Sequence, residues 1–220
     1  MPDTQTLKDT IRHHAQTAPV REHSGNALRD TTYGDMISAG LGLRRATSSA
    51  AIQRNAKALA LGIEAWSPDT TVFSATAVAL LEAGAGRDPY ALADLMDPVA
   101  GYEEADAGDQ EVYVALQQAQ RALGVPGDAV TAPSLLLHCL SPGYFPCLGR
   151  RVARALDREH TGLAPSATLY ASYAASLRGL GLTDHVGGQP EITAFGDASE
   201  AAATRLRRVD CTLWHVGGAT

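Results

Sequence analysis

Apolar residues recur at intervals of three and four from about Thr47 to the end of the chain, and no run of strand-type alternation is sustained. That period lays one stripe of side chains along one side of a helix, so the chain reads as all-α. Ile52, Ala56, Leu59 and Ile63 mark one such segment, with Thr47, Ser48 and Ser49 placed to cap it. Ser67-Pro68-Asp69 combines an N-cap, a proline at the first helical position and an acid in the first turn. The helix it opens, through Phe73, Ala77, Leu80 and Leu81, stops at Gly84 and Gly86. Asp88-Pro89 starts a shorter one through Tyr90, Leu92, Leu95 and Met96, and another runs from about Asp109 to Leu123 before Gly124 and Pro126. Leu135 to Leu140 lead into a proline-marked turn, Ser141-Pro142-Gly143-Tyr144-Phe145-Pro146. Val152, Ala153 and Leu156 then form the apolar side of a helix whose other side is Arg150, Arg151, Arg154 and Arg158. Segments from Ser166 to Leu180 and from Ala198 to about His215 complete the pattern.

The expectation is a single all-α globular domain of seven to nine helices over residues 46–220, without internal repeats. Residues 1–45 are weakly patterned, with a short polar helix around Leu7 to Gln16 and then turn-rich sequence at Pro19, Gly25, Gly34, Gly40 and Gly42. They read as a weakly structured N-terminal extension that wraps over the core.

At 220 residues, 45% hydrophobic and 19% charged, the chain is too apolar to be disordered and too polar for a membrane protein. No run of about 18 apolar residues exists to cross a bilayer, and residues 1–6 lack a signal peptide's basic and apolar regions. Three cysteines without C-x-x-C spacing argue against a disulfide framework, and Cys139 and Cys211 read as small buried hydrophobes. The expected location is the cytoplasm, with no membrane partner.

The net charge of −6 argues against an unspecialised polyanion binder, which would carry a basic surface. Nine acids and one base, Arg121, lie between Asp88 and Asp128, a stretch that reads as a solvated face and loop or as a docking region for a partner protein. His13, His14 and His23 have no acidic or cysteine residue at ligand spacing, so no metal site and no cofactor are expected. Gly40-Leu41-Gly42 lacks the third glycine and preceding strand of a dinucleotide loop, and no nucleophile elbow, P-loop or H-E-x-x-H occurs.

Two stretches carry the chemistry that remains. The first is His138 to Arg154, where a helix ends, prolines and aromatics turn the chain, and an arginine-bearing helix begins. There an opening helix's amides and Arg150 or Arg151 could face one anion, or the aromatics could simply lock a corner. The second is the last helix, Arg205 to Trp214, where Asp210 stands among Val209, Cys211 and Leu213. A carboxylate in that setting needs a partner, and Arg151 or Arg208 is expected to supply it. His138, Tyr144, Asp210 and Trp214 are pocket candidates.

These stretches resemble an uncharacterised bacterial family of helical proteins compared in fold with the 8-oxoguanine DNA glycosylases of the helix-hairpin-helix superfamily. The matching residues are Leu135-Leu136-Leu137-His138, Pro142, Phe145-Pro146 and Gly149-Arg150-Arg151-Val152, then Arg207-Arg208-Val209-Asp210-Cys211-Thr212-Leu213-Trp214. Leu135 stands where the family pattern has lysine and Gly149 where it has aspartate, and Leu148-Gly149-Arg150-Arg151 has one glycine of the hairpin's glycine-x-glycine. A glycosylase needs a carboxylate to stabilise the sugar cation, and a bifunctional one also needs the amine. The resemblance therefore implies a non-catalytic or redirected scaffold that binds DNA, RNA or a nucleotide through Arg150, Arg151, Arg154, Arg207 and Arg208. Whether the chain is an enzyme stays open. The alternatives are a protein-interaction module using the acidic 88–128 region, and a small-molecule enzyme with a pocket exposing Asp210 or His138.

Overall fold

A computed structural model of the chain describes residues 4–17, 27–66, 78–81, 89–104, 107–156 and 165–183, together with Leu206, Val209, Asp210, Leu213 and Gly217. Among them are nine helices and no strand, in agreement with the all-α reading. They are α1 (Thr4–Thr17), α2 (Ala27–Arg44), α3 (Ser49–Trp66), α4 (Pro89–Ala93), α5 (Met96–Glu103), α6 (Asp109–Leu123), α7 (Thr131–Leu140), α8 (Arg150–Leu156) and α9 (Ala167–Gly179). A helical turn at 78–81 and helical positions at Leu206, Val209, Asp210 and Leu213 add to these. No described helix is long and apolar enough to cross a membrane.

Local chemistry explains most boundaries. Ser48 caps α3 by accepting the Ala51 amide at 3.3 Å, and Ser166 caps α9 through the Leu169 amide at 3.1 Å. Glu111 reaches back to the Gly108 amide at 2.7 Å at the start of α6. That helix ends where Gly124 takes a left-handed conformation, φ 61°, which releases the chain at little steric cost. Gln120 then binds the carbonyls of Gly127 and Ala129, both at 2.8 Å, and fixes the connection to α7.

α7 is the centre of the molecule. Every residue from Ala132 to Leu140 is buried, which suits a helix apolar on nearly all sides. α2 and α6 pack against it, α2 also lies along α3, and α6 contacts α4, α5 and α9. α1 packs on α9 and touches α8.

Two readings of the sequence are corrected here. Residues 27–44, expected as turn-rich sequence, form α2, and Leu7, Ile11, Met36 and Leu43 are buried in the common core; Pro19 and Gly25 lie outside the described residues. Of the glycines taken for turns, Gly40 is a contact point and Gly34 is exposed: a Cβ on Gly40 would lie 2.1 Å from the Cys139 carbonyl oxygen of α7, while one on Gly34 would meet nothing within 4 Å. Second, the helix expected through Met96 divides, with α4 ending at Ala93 and α5 beginning at Met96. The Ser67-Pro68-Asp69 cap, Phe73, Gly84, Asp88, Arg158 and His23 lie outside the described residues.

Glu103, at the end of α5, forms a two-pronged ion pair with Arg44 at the end of α2 and accepts the Ser141 hydroxyl just past α7. Three helix ends are thereby drawn to one partly buried carboxylate.

Candidate functional site

The turn after α7 is buried throughout, Ser141 to Pro146. A buried loop has to satisfy its backbone groups without water. The Ser141 carbonyl accepts the amides of Tyr144 and Phe145 at 3.1 and 3.2 Å, and the Leu148 amide donates to Ser134 Oγ at 3.0 Å. The Phe145 ring packs against Tyr102, centroids 4.7 Å apart. The turn is held as rigidly as the helix it leaves.

His138 and Asp210 secure this corner from two sides. His138 is 0% exposed, with Nδ1 2.7 Å from the Phe145 carbonyl oxygen and Nε2 2.7 Å from the Tyr33 hydroxyl. A carbonyl only accepts, so Nδ1 carries the proton, and in the neutral ring Nε2 accepts from Tyr33. Asp210 is 1% exposed; its Oδ1 accepts the Tyr173 hydroxyl at 2.6 Å and its Oδ2 the Cys147 amide at 2.8 Å. The last helical segment and the proline-rich corner therefore meet at the middle of the bundle. Among the bonds that join them are those of Asp210 to a backbone amide of the corner and to a tyrosine of α9. Arg151 is exposed, while Arg208 lies outside the described residues.

Nearby, the Tyr170 hydroxyl is fully buried without a hydrogen-bond partner among the described residues. Burial above all, then the charges of Tyr102, Cys147 and Asp210, holds its pKa well above the ordinary tyrosine value. Burial also raises that of Tyr102, partly offset by Arg178, whose guanidinium lies 4.5 Å from the ring centre. Arg178 donates to the carbonyls of Glu104 and Ala107 at 2.8 and 3.1 Å, closing the turn between α5 and α6.

The remaining candidates sort by exposure. Arg150, Arg151 and Arg154 are exposed on α8, whose other residues Val152, Ala153, Ala155 and Leu156 are buried. The start of α8 is fixed by the Ala153 amide bonding to Gly149, and by Gly217, where an added Cβ would lie 1.8 Å from the Arg151 carbonyl oxygen. Tyr144 is buried at 8%. Arg207 and Trp214 lie outside the described residues. With His138 and Asp210 sealed in the core, the pocket that would have exposed either to a small molecule is not formed around them. The acidic stretch divides: Asp94, Asp97, Glu104, Asp109 and Asp128 are exposed, while Glu103 and Glu111 serve the ion pair and cap described above.

Sequence reasoning missed Tyr33, Tyr173 and Cys147 as the partners of this centre. Tyr170 and Tyr173 stand at helical spacing within the Ser166–Leu180 segment, but a core aromatic and a hydrogen-bonding tyrosine share that signature. Comparison with protein-family models, curated proteins and solved structures finds no match for this chain.

Proposed function

We propose that this chain is a non-catalytic helical scaffold of DNA-glycosylase-like kind, which binds the phosphate backbone of nucleic acid through the arginine face of α8. The observation that carries the reading is the division of that helix: three arginines within five residues face solvent while its apolar side is anchored in the core. Phosphate contacts need cations held at the surface by a rigid support, and no sequence readout is required for affinity. Arg207 and Arg208 join the proposed surface on the sequence resemblance. Leu135 and Gly149, at the family's lysine and aspartate positions, supply neither nucleophile nor carboxylate; Leu135 is moreover buried at 2%. That supports binding without base excision. An acidic chain with one local basic face would bind weakly and with a strong salt dependence.

Fluorescence anisotropy with labelled DNA and RNA oligomers, from about 50 mM salt upward, tests the reading. Binding is expected at low salt, and Arg151→Ala with Arg154→Ala should lower the slope of log affinity against log salt by about 2. No binding at about 50 mM salt, or binding indifferent to both substitutions, overturns it. Recovery of a stoichiometric protein partner under the same conditions, without nucleic acid, points instead to the exposed acids of the 88–128 region.

A further inference from the structure

The binding surface proposed above does not use the polar centre beneath it. There a nitrogen of His138, the Cys147 thiol and a carboxylate oxygen of Asp210 all lie within 4.8 Å of one another. Imidazole, thiolate and carboxylate together form the borderline-soft donor set that suits zinc and its neighbours. His138 is held as metal ligands are: its Nδ1–H is tied to the Phe145 carbonyl, which fixes the tautomer and puts the lone pair on Nε2, where the Tyr33 hydroxyl donates to it at 2.7 Å. A second observation is independent of the three ligands. The Tyr170 hydroxyl, on the same buried side of α9 as the Tyr173 that bonds Asp210, is itself buried without a described partner. A buried hydroxyl left unpaired calls for a water or ion that it can bond. Access is also provided for, because Cys147 is only half-buried while the other two are sealed.

We propose that His138, Cys147 and Asp210 bind one zinc-class divalent cation, with a water completing four-coordination. Bond lengths of about 2.0–2.3 Å set ligand separations of roughly 3.5 Å, so the side chains close by about an ångström on binding. The Cys147 thiol gives up its proton to solvent and coordinates as thiolate, and the Tyr33 hydroxyl yields Nε2 to the ion. No electrons are transferred. The site pins the end of α7, the corner and the last helix to one another, which is the part a structural ion plays.

Cobalt(II) added to the chelator-treated full chain is the direct probe. One ion per chain is expected, with tetrahedral visible bands, a thiolate charge-transfer band in the near ultraviolet, and displacement of both by zinc. Cys147→Ser, the substitution at the half-buried ligand, should retain the wild-type circular dichroism, lose the charge-transfer band and bind at least tenfold more weakly. His138→Gln should weaken binding to a similar degree while the thiolate band of any residual complex persists. Folded wild-type protein that takes up less than one cobalt, or takes it up without the charge-transfer band, overturns the proposal. So does Cys147→Ser that binds cobalt as the wild type does.

Discussion

A carboxylate that is 1% exposed must recover in hydrogen bonds what it loses in hydration, and Asp210 does so with Tyr173 and the Cys147 amide. Removing the tyrosine hydroxyl takes one of those bonds from a buried charge. Tyr173→Phe is expected to cost about 1.5–3 kcal/mol, the usual range for a bond to a charged group, measured by urea unfolding at neutral pH. Tyr170 is the contrasting case. Its hydroxyl is buried without a described partner, so Tyr170→Phe should be neutral or stabilising by up to about 1 kcal/mol in the same measurement. Tyr170 also bears on stability in alkali. Folded Tyr170 keeps its proton where the unfolded chain, with the ordinary tyrosine value of 10.0, releases it. The unfolded state then binds fewer protons, so the stability from this group is complete below about pH 10 and falls as pH rises beyond it. Tyr170→Phe should flatten that alkaline decline, and an unchanged decline would contradict the assignment. At this scale the sequence announced that Asp210 needs a partner, without showing that Tyr173 and the Cys147 amide would be among those it finds. A backbone amide and a tyrosine 37 residues away have no sequence signature, and neither has the Tyr33 hydroxyl that reaches His138 across 105 residues.

Helices α3, α6 and α9 were legible because their caps and apolar spacing agree. Val112, Leu116, Ala119 and Leu123 all fall on the buried side of α6, and Gly124 ends it as its position suggested. α2 was not legible, for a reason of packing. Gly34, Gly40 and Gly42 interrupt its apolar pattern and resemble turn residues, yet Gly40 lets α2 cross α7 at backbone distance. Gly40→Ala would drive a methyl group to 2.1 Å from the Cys139 carbonyl oxygen, with no flexible side chain to give way. A cost of about 3 kcal/mol or more is expected, at the upper end for overpacking. Gly34 lies on the same helix, exposed, with nothing within 4 Å of a Cβ. Gly34→Ala should stabilise by about 0.5–1 kcal/mol through helix propensity alone. Thermal melts of the two variants separate a contact glycine from a merely permissive one. Similar shifts for both would mean that α2 does not cross α7 there.

The molecule is organised around α7, with chain from both ends joined in the same core. α1 and α2 bring Leu7, Ile11, Tyr33 and Met36 to the core, and the last segment brings Leu206, Val209, Asp210 and Leu213. The all-α class was legible because the 3.6-residue period runs through most of the chain. The meeting of the corner with the last helix was legible as a requirement, since both stretches carry polar residues among apolar ones. Its bonding pattern was not, because it depends on how three helices lie in space. This arrangement leaves the arginines of α8 outside and the titratable groups of the centre inside, which is why the proposed binding and the proposed ion occupy opposite sides of the same short helix and corner. Amide hydrogen exchange at Cys147 tests the shared foundation most directly. The amide is bonded to Asp210, 63 residues later, whereas that of Leu148 is bonded to Ser134 on α7. Both should be strongly protected in the wild type, and Asp210→Ala should release Cys147 while Leu148 stays slow. A Cys147 amide that exchanges at the rate of an open loop in the wild type, or one whose protection survives the loss of Asp210, would contradict the account.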